Sequence, residues 1–461
     1  MNIKILIRST LAITGAASLL TFSSCDKVVD LDPIGFVTED SIAKNDADLK
    51  ALINSGYYAL AQDDYYGGSF QVYNELLGDL INGSTLNGDY LSTYNRNTNI
   101  FNPGISAMYG QMNKPILQAN QTLKYLANAS AAAKDEIAGQ AHFLRGLSLF
   151  DLVRLYAQPY KKAGNNTQPG VPIRLSPERV PIQRSSVEEV YQQIISDLKK
   201  ADTLLPATHG VYATKWSAKA ILARVYFQMN DFSNAYLYAN DVIENGGFGF
   251  DADYSHRYSS AGTPEAVFQL VYEANNTQGR FQRLLGNYRT TGSALPALTI
   301  TNAAYTNGKA VATDARAAWY STKNGYYLLN KFDSNSVELP VILITELKLI
   351  RAESAAEQNQ NLAVGITDIN DIITRAYGAG SALLLPLNAN ASLLKEAVRR
   401  ERNLELVGEG NRTQELKREG GNGENVMIRG AVYNCPGLIF PFPTNEVNYN
   451  SLEQNPIGGC N

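Results

Sequence analysis

The sequence predicts a mainly helical, all-α protein in which tetratricopeptide-like helix pairs form a scaffold that carries long irregular loops and a few short strands. Three observations support this fold class. Apolar residues recur at three- and four-residue spacings over several long stretches. In two of these stretches small residues alternate with large ones, as they do in closely packed helix pairs. The segments between are rich in Gly, Asn, Thr and Tyr, a composition that favours turns and loops.

Residues 1–24 have the features of an export signal. Lys4 and Arg8 form a positive start, an uncharged and mostly apolar stretch follows, and small residues come last. Cys25 stands directly after them, as in a bacterial lipobox, so we expect cleavage before Cys25 and lipidation of its thiol. The alternatives are an ordinary secretory signal with a chance cysteine and an uncleaved apolar segment. If Cys25 is lipidated, residues 25–45 form a lipidated tether.

Composition excludes several classes of function. The formal net charge is −4 and the basic residues are dispersed, so no basic stripe favours nucleic acid. The three histidines, His142, His209 and His256, share no metal-ligand spacing with Cys or acidic residues. Neither a phosphate-binding loop nor a nucleophile elbow occurs. We therefore expect no metal, no cofactor and no enzyme activity.

Periodicity places the first helices. They are predicted, in order, from Asp46 through Leu60 and over residues 106–128, 131–157 and 187–204. The third is apolar on more than one side, so it should be buried between neighbours.

Residues 217–244 carry the clearest helix-pair pattern. Small and large residues alternate at Leu222, Ala223 and Tyr226 and again at Ala235, Ala239 and Val242. A second, looser pair is predicted over residues 345–356 and 362–375. No 34-residue period runs through the whole chain, so these pairs are embedded in an irregular body and do not form a solenoid.

Two segments are predicted to be loop insertions in a single body that spans residues 46–461. They lie near residues 63–102 and 248–339, where Gly, Asn, Tyr and Ser or Thr accumulate. Short apolar alternations in the second segment predict a few strands.

Three stretches resemble one known family. The run VRRERNLELVGEGNRTQELKREG, residues 398–420, is similar to the signature ER-x-x-EL-x-x-EG-x-R-x-x-DL of the SusD/RagB family. The matching residues are Glu401, Arg402, Glu405, Leu406, Glu409, Gly410, Arg412 and Leu416. Glu415 stands where Asp is usual, and Val407-Gly408 departs from an aromatic-containing consensus. Residues 141–156 and the ending at 441–456 resemble further family motifs in the expected order.

The resemblance implies a nutrient-binding lipoprotein on the surface of the outer membrane of Bacteroidetes-type bacteria. Such proteins are understood to act as a lid on a SusC-type TonB-dependent barrel. They capture oligosaccharides, or peptides in some relatives, on irregular loops carried by a helical scaffold. A tetratricopeptide scaffold that binds only protein and a hydrolase are the competing interpretations.

Glu401 and Glu405 could be read as the paired carboxylates of a glycosidase. They lie four residues apart on a predicted helix, within reach of each other. However, several arginines crowd the same segment and would keep both glutamates ionised. These arginines are Arg399, Arg400, Arg402 and Arg412. We therefore predict a structural Glu/Arg network and no hydrolase.

Candidate ligand residues are the aromatic and polar side chains of the two loop segments. Sugars stack their C–H faces on aromatic rings and need amide, carboxylate or guanidinium partners, although each such aromatic taken alone is more often a packing residue. The first group is Tyr65, Tyr66, Tyr73, Tyr90, Tyr94 and Asn95. The second group is Arg280, Arg283, Tyr288, Trp319, Tyr320, Tyr326 and Tyr327, with Trp319 the strongest candidate.

Two cysteines remain besides Cys25, namely Cys435 and Cys460. An even pair in an exported protein suggests a disulfide that fixes the C-terminal tail. Cys460 lies next to the chain end, so two unpaired cysteines remain the alternative.

Overall fold

The computed structural model describes residues 43–258, 262–271, 281–292, 294–333 and 338–460. The predicted signal, Cys25, the tether up to residue 42 and Arg280 lie outside these ranges. Asn45–Asn461 forms one compact unit.

The described residues form fifteen α-helices. They are α1 Asp46–Leu60, α2 Ser69–Leu77, α3 Gly88–Tyr94, α4 Pro103–Lys124, α5 Lys134–Tyr156, α6 Val187–Leu204, α7 Lys215–Gln228, α8 Phe232–Asn245, α9 Gln282–Tyr288, α10 Asn302–Gly308, α11 Ile344–Gln358, α12 Leu362–Tyr377, α13 Ala391–Glu405, α14 Arg412–Gly421 and α15 Thr444–Asn450. The predicted all-α class is confirmed.

Long helices pack on one another in a continuous series. Helix α1 packs on α4, α4 on α5, and the series continues through α6 and α7 to α8. Helix α8 then packs on α11, which also contacts α12 and α13. Helix α5 is buried on all sides from Ile137 to Tyr156, as its apolar pattern predicts.

The two predicted helix pairs are α7 with α8 and α11 with α12. Ala223, Ala235 and Ala239 are fully buried, and these small side chains let α7 and α8 approach closely. In the second pair, a Cβ added to Gly365 of α12 would lie 3.1 Å from the Cα of Ala352 in α11, which leaves no room for a larger residue. Both pairs therefore depend on small residues where the helices meet.

Three short antiparallel pairs of strands complete the fold of the described residues. They are β1 Ala266–Leu270 with β4 Leu339–Leu343, β2 Tyr320–Lys323 with β3 Tyr326–Leu329, and β5 Met427–Ile428 with β6 Ala431–Val432.

The first loop segment contains more structure than its composition indicates. Helix α2 interrupts it, and all nine residues of α2 are buried. Its polar Asn74 and Glu75 find partners in the C-terminal signature, because Gln414 donates to the Asn74 side chain at 2.7 Å and the Gly410 N–H donates to Glu75 at 2.8 Å. The prediction of loops throughout residues 63–102 is therefore wrong for α2, whose helical state depends on these distant contacts.

Within the described residues, no helix combines the length and apolar character needed to cross a membrane. Cys435 and Cys460 are joined in a disulfide with an S–S distance of 2.06 Å. Cys435 is buried beside Leu438 and Phe440, so this bond attaches the C-terminal tail to the core.

Candidate functional site

The two loop segments meet through backbone hydrogen bonds. The N–H of Asn82 donates to the Thr299 carbonyl at 2.8 Å, and the N–H of Thr301 donates to the Leu80 carbonyl at 2.9 Å. The N–H of Leu284 donates to the carbonyl of Gly67 at 3.1 Å. Side chains separated by about 200 residues in the sequence therefore share one part of the surface.

Tyr90 and Arg283, both candidates from the sequence, lie in the same cluster. Tyr90 is half-buried, packs edge-on against Tyr73 with ring centroids 5.7 Å apart, and is hydrogen-bonded to Asn287. Burial raises the pKa of the Tyr90 phenol, so the hydroxyl is neutral at pH 7. The guanidinium of Arg283 lies 2.7 Å from the carboxylate of Asp64 and interacts electrostatically with Tyr90.

The β2–β3 hairpin adds further aromatic rings. Tyr327 packs against Tyr305 with centroids 4.5 Å apart, and its carbonyl accepts a hydrogen bond from the N–H of Ile300. Ile300 is also bridged to Ile81 of the first segment. Tyr326 lies half-buried at the hairpin turn. We call Tyr90, Arg283, Asn287, Tyr305, Tyr326 and Tyr327 the loop face.

Tyr305 was missed by the sequence reasoning. It lies in a short Asn- and Gly-containing helix, α10, with no apolar pattern around it. Only its contact with Tyr327 of the β2–β3 hairpin reveals it, and nothing in the sequence predicts that contact.

The structure places Tyr65 and Tyr66 in the core, which corrects the prediction that they contact a ligand. Both are buried, stack on each other at 4.7 Å, and donate their hydroxyl hydrogens to the carboxylate of Asp151 at 2.7 Å. A buried hydroxyl must find a partner, and Asp151 of α5 provides one for each tyrosine. Tyr73 and Tyr288 are likewise buried.

The remaining candidates are not part of the loop face. Tyr94 is half-buried beneath the guanidinium of Arg429, which lies 3.8 Å from the ring centroid, while Asn95 is exposed at the end of α3. Tyr320 is buried and packs against Gly308. Arg280 is outside the described residues.

Trp319 is held by neighbours other than the Tyr90 cluster. Its ring packs edge-on against Tyr254 at 5.2 Å, and the ammonium of Lys331 lies 4.6 Å from its centroid. These contacts give the ring a packing role. A ligand role for Trp319 stays a prediction, and the cluster around Tyr90 becomes the better candidate.

Glu405 lies at the centre of a buried ionic network. Its carboxylate is fully buried and lies 3.0 Å from Arg257, 3.1 Å from Arg316 and 3.0 Å from Arg375. Burial alone would raise the pKa of Glu405, but the three guanidinium groups outweigh it and hold the pKa well below its ordinary value. Glu405 is therefore ionised at neutral pH and cannot act as a general acid.

Other signature residues make further ion pairs, and Glu401 shares Arg316 with Glu405. Glu401 pairs with Arg316 at 2.7 Å. Arg402 lies 3.4 Å from Glu415. Arg412 forms two hydrogen bonds with Asp79, at 2.9 and 2.8 Å.

The Glu/Arg network draws only some of its arginines from the signature. Arg400 pairs with Glu401 at 2.9 Å, as the sequence suggests. Arg257 and Arg316 come from the long second segment and Arg375 comes from α12, whereas Arg412 of the signature reaches neither glutamate of α13. Sequence proximity therefore indicated one of the partners, and the fold brings in the other arginines from distant segments.

Glu75 is a fully buried carboxyl group whose Oε1 accepts the Gly410 hydrogen bond and whose Oε2 has no hydrogen-bond partner among the described residues. Burial raises the pKa of Glu75 to about 8. The unfolded chain ionises near pH 4.5 and the folded chain near pH 8, so this group destabilises the fold progressively as pH rises between those values.

We therefore expect Glu75→Gln to change stability more favourably at pH 7 than at pH 4, with a difference on the order of 3 kcal/mol. Glutamine keeps the acceptor for Gly410 and does not ionise. Thermal unfolding of both proteins at the two pH values measures the difference. An equal shift at pH 4 and pH 7 would contradict the assignment of a neutral carboxyl.

Comparison with known proteins identifies the family. A SusD-like family model described as "Starch-binding associating with outer membrane" matches residues 37–227, and the SusD family model matches residues 167–457. The second match spans more than half of the chain. The chain belongs to the SusD family.

Individual relatives agree with this result. The chain is 26% identical to SusD-like protein P2 of Formosa agariphila over 96% of this chain and 99% of the relative. A SusD superfamily crystal structure from Bacteroides thetaiotaomicron matches 89% of this chain and 99% of its own, with a TM-score of 0.77 at 22% identity. The match to the crystal structure of a putative sugar binding protein from Bacteroides vulgatus covers 89% of this chain and 98% of that protein, with a TM-score of 0.76 at 25% identity.

Proposed function

We propose that this protein is a non-enzymatic cell-surface lipoprotein that captures an oligosaccharide and acts as the lid of a SusC-type TonB-dependent outer-membrane barrel. Lipidation at Cys25 would anchor it to the outer membrane through the short tether. The barrel would carry out transport, and this chain would supply the ligand.

The observation that carries the proposal is the cluster of Tyr90 with Arg283 and Asn287, together with the Tyr305–Tyr327 pair in the same two loop segments. Half-buried tyrosine rings offer flat apolar faces with a polar rim, which suits the C–H faces and hydroxyls of a sugar ring. The charge of Arg283 is offset by Asp64, so the cluster favours an uncharged polar ligand. The family membership and the sugar-binding name of one structural relative support the same ligand class.

The chemistry of the signature supports a binding protein over a hydrolase. A glycosidase needs one carboxyl group that carries a proton near neutral pH. Glu405 is held ionised by three arginines, and Glu401 is fully buried against Arg316. Neither glutamate is placed to protonate a glycosidic oxygen.

We expect Tyr90→Ala to weaken binding of the cognate oligosaccharide at least about tenfold, or about 1.4 kcal/mol, without unfolding the body. Calorimetric titration of the mature protein against a panel of oligosaccharides and peptides measures the effect. The matched control is Tyr238→Ala, which removes another half-buried tyrosine, one that stacks on Tyr226 in the α7–α8 pair.

Two outcomes of the titration would count against the proposal. Unchanged affinity in Tyr90→Ala would remove the loop face from the site. Binding of peptides but of no oligosaccharide would be compatible with the lid role and would change the ligand class from oligosaccharide to peptide.

A further inference from the structure

A groove with a volume of about 440 Å³ lies along α4. It is lined by α4 from Tyr109 to Asn120, by residues 174–179 and by Glu446 and Tyr449 of α15. We call it the α4 groove. None of the six loop-face residues lines it, and its walls lie outside both loop segments of the sequence. The groove is therefore separate from the ligand site proposed above.

Hydrogen bonds join the three walls of the α4 groove. The amide of Asn120 donates to the carbonyl of Arg174 at 3.0 Å. The guanidinium of Arg174 donates to the Asn450 side chain at 2.9 Å, and the Tyr449 hydroxyl donates to the Arg179 carbonyl at 2.6 Å. The groove is therefore formed before any partner binds, which lowers the ordering cost of binding.

Large apolar side chains are exposed in the groove. Leu117 of α4 is 40% exposed and Tyr449 of α15 is 49% exposed. Ile116 and Pro177 also line the groove. Apolar side chains gathered in a concave, preformed surface indicate a site for a partner, unlike apolar residues scattered singly over a surface.

Two cations of the groove have no carboxylate partner. Lys114 and Arg179 are exposed, and in the described part of the chain neither of them forms an ion pair. Lys114 donates to the neutral side chain of Gln111 at 2.7 Å, which leaves its charge uncompensated.

The acidic side chains of the lining are compensated by other cations. Glu178 lies 2.9 Å from Lys124, and Glu446 lies 3.7 Å from Arg174. Hydrogen bonds from Ser176 and Lys124 lower the pKa of Glu178 to about 2, so Glu178 is ionised and paired at neutral pH. The groove therefore keeps its two uncompensated positive charges, which favour an anionic occupant.

Helix α4 also leaves room and an acceptor for a peptide backbone. Gly110 is exposed, and nothing lies within 4 Å of the position that its Cβ would take. A glycine inside a helix costs stability, so its place in the lining favours close approach of another backbone. Asn113 donates to the Tyr109 carbonyl at 2.9 Å, which leaves its side-chain oxygen to accept an N–H. A peptide supplies such an N–H, whereas a fatty acid does not.

The length of the groove sets the length of the occupant. From Tyr109 to Asn120, α4 rises by about 17 Å, at about 1.5 Å for each residue. An extended peptide advances about 3.3 Å for each residue, so about five residues fill the groove.

We propose that the α4 groove docks an extended segment of about five residues, acidic and apolar, from a partner protein. Carboxylates of the segment pair with Lys114 and Arg179, and its apolar side chains pack on Leu117 and Tyr449. The groove is thus an interaction surface and not the site that captures a nutrient. The inference goes beyond the proposed function and does not rest on it, because the groove shares no residue with the loop face.

The test is fluorescence anisotropy of labelled pentapeptides titrated with the mature protein. The acidic set alternates leucine or tyrosine with aspartate or glutamate. Two matched sets carry lysine or the neutral amides in place of the acids.

Two groove variants are compared with matched controls. Gly110→Phe fills the groove at an exposed position where no neighbour is displaced, and Ala107→Phe is its control at an exposed position of α4 outside the lining. Lys114→Gln combined with Arg179→Gln removes the two uncompensated charges. Lys199→Gln combined with Lys200→Gln is its control, because both lysines are exposed on α6.

We expect at least one acidic peptide to bind the unmodified protein and both controls equally. The variant that lacks both charges should bind it about tenfold more weakly, as the loss of two exposed charge pairs predicts, and Gly110→Phe should bind it at least as weakly. Added salt should weaken binding to the unmodified protein and have little effect on the residual binding of the charge variant.

The proposal is overturned if no acidic peptide binds, if the lysine or amide sets bind as tightly, or if both groove variants bind normally. Phosphatidylglycerol vesicles are a further probe, because a lipid surface is also anionic and apolar. Vesicle binding that the charge variant loses, in the absence of peptide binding, would make the groove a membrane contact and overturn the proposal.

One further variant separates the groove from the loop face. Tyr90→Ala should bind the acidic peptides normally, and a loss there would place the peptide on the loop face and overturn the groove as its site. Failure of the unmodified protein to bind any oligosaccharide would overturn only the proposed function.

Discussion

Glu405→Ala is expected to lower the free energy of unfolding by about 3–5 kcal/mol and to reduce the yield of folded protein sharply. The change removes a fully buried carboxylate that three guanidinium groups share. The side chains of Arg257, Arg316 and Arg375 are themselves buried, so their charges would lose a main counter-charge with little access to water. The loss of stability arises from these unpaired buried charges and not from the small change in side-chain volume.

Urea unfolding of the mature protein, followed by circular dichroism, measures this change as a shift in the midpoint. Glu396→Gln is the matched control, because Glu396 lies exposed on the same helix and should change stability by less than about 0.5 kcal/mol. A Glu405 variant with normal stability that lost glycan hydrolysis would reverse the conclusion and make Glu405 catalytic.

The second large effect is expected from the disulfide. Replacing Cys435 and Cys460 together by serine should lower the free energy of unfolding by about 3.5 kcal/mol, the loop-closure value for cysteines 25 residues apart. The bond restrains the unfolded chain and keeps the tail on the core. Phe440 and Phe442, which lie between the two cysteines, are fully buried in that core.

A reductant supplies the control for the disulfide. Dithiothreitol should destabilise the unmodified protein by about as much as the double substitution does, and should leave the double variant unchanged. Free thiols detected in the untreated folded protein, or a reductant effect of equal size on both proteins, would contradict the assignment.

Much of the helical scaffold follows from the sequence because its signals are local. The start of α1 is set by acidic residues and a capping Asn45, and the packing of α7 on α8 is set by small residues at helical spacing. Helix α2 could not be predicted in this way. Its buried Asn74 and Glu75 are acceptable only because Gly410 and Gln414 reach them from the other end of the chain.

The candidate site was predictable only in part, for the same physical reason. Tyr65, Tyr66 and Tyr90 are similar residues in similar loop sequences, and the sequence cannot rank their exposure. Asp151 of α5 draws the first two into the core, whereas Tyr90 stays half-buried beside Asn287. Burial is decided by partners far away in the sequence, so composition indicated the two segments but could not show which of their tyrosines remain partly exposed.

The most direct test of the central claim is hydrogen–deuterium exchange of the mature protein with and without the oligosaccharide that binds it best in the titration panel. If the loop face captures the ligand, amides within residues 63–102 and 281–333 should become protected, while those of α7, α8, α11 and α12 should not change. Protection confined to those four scaffold helices, as a protein-interaction scaffold would show, would contradict the account.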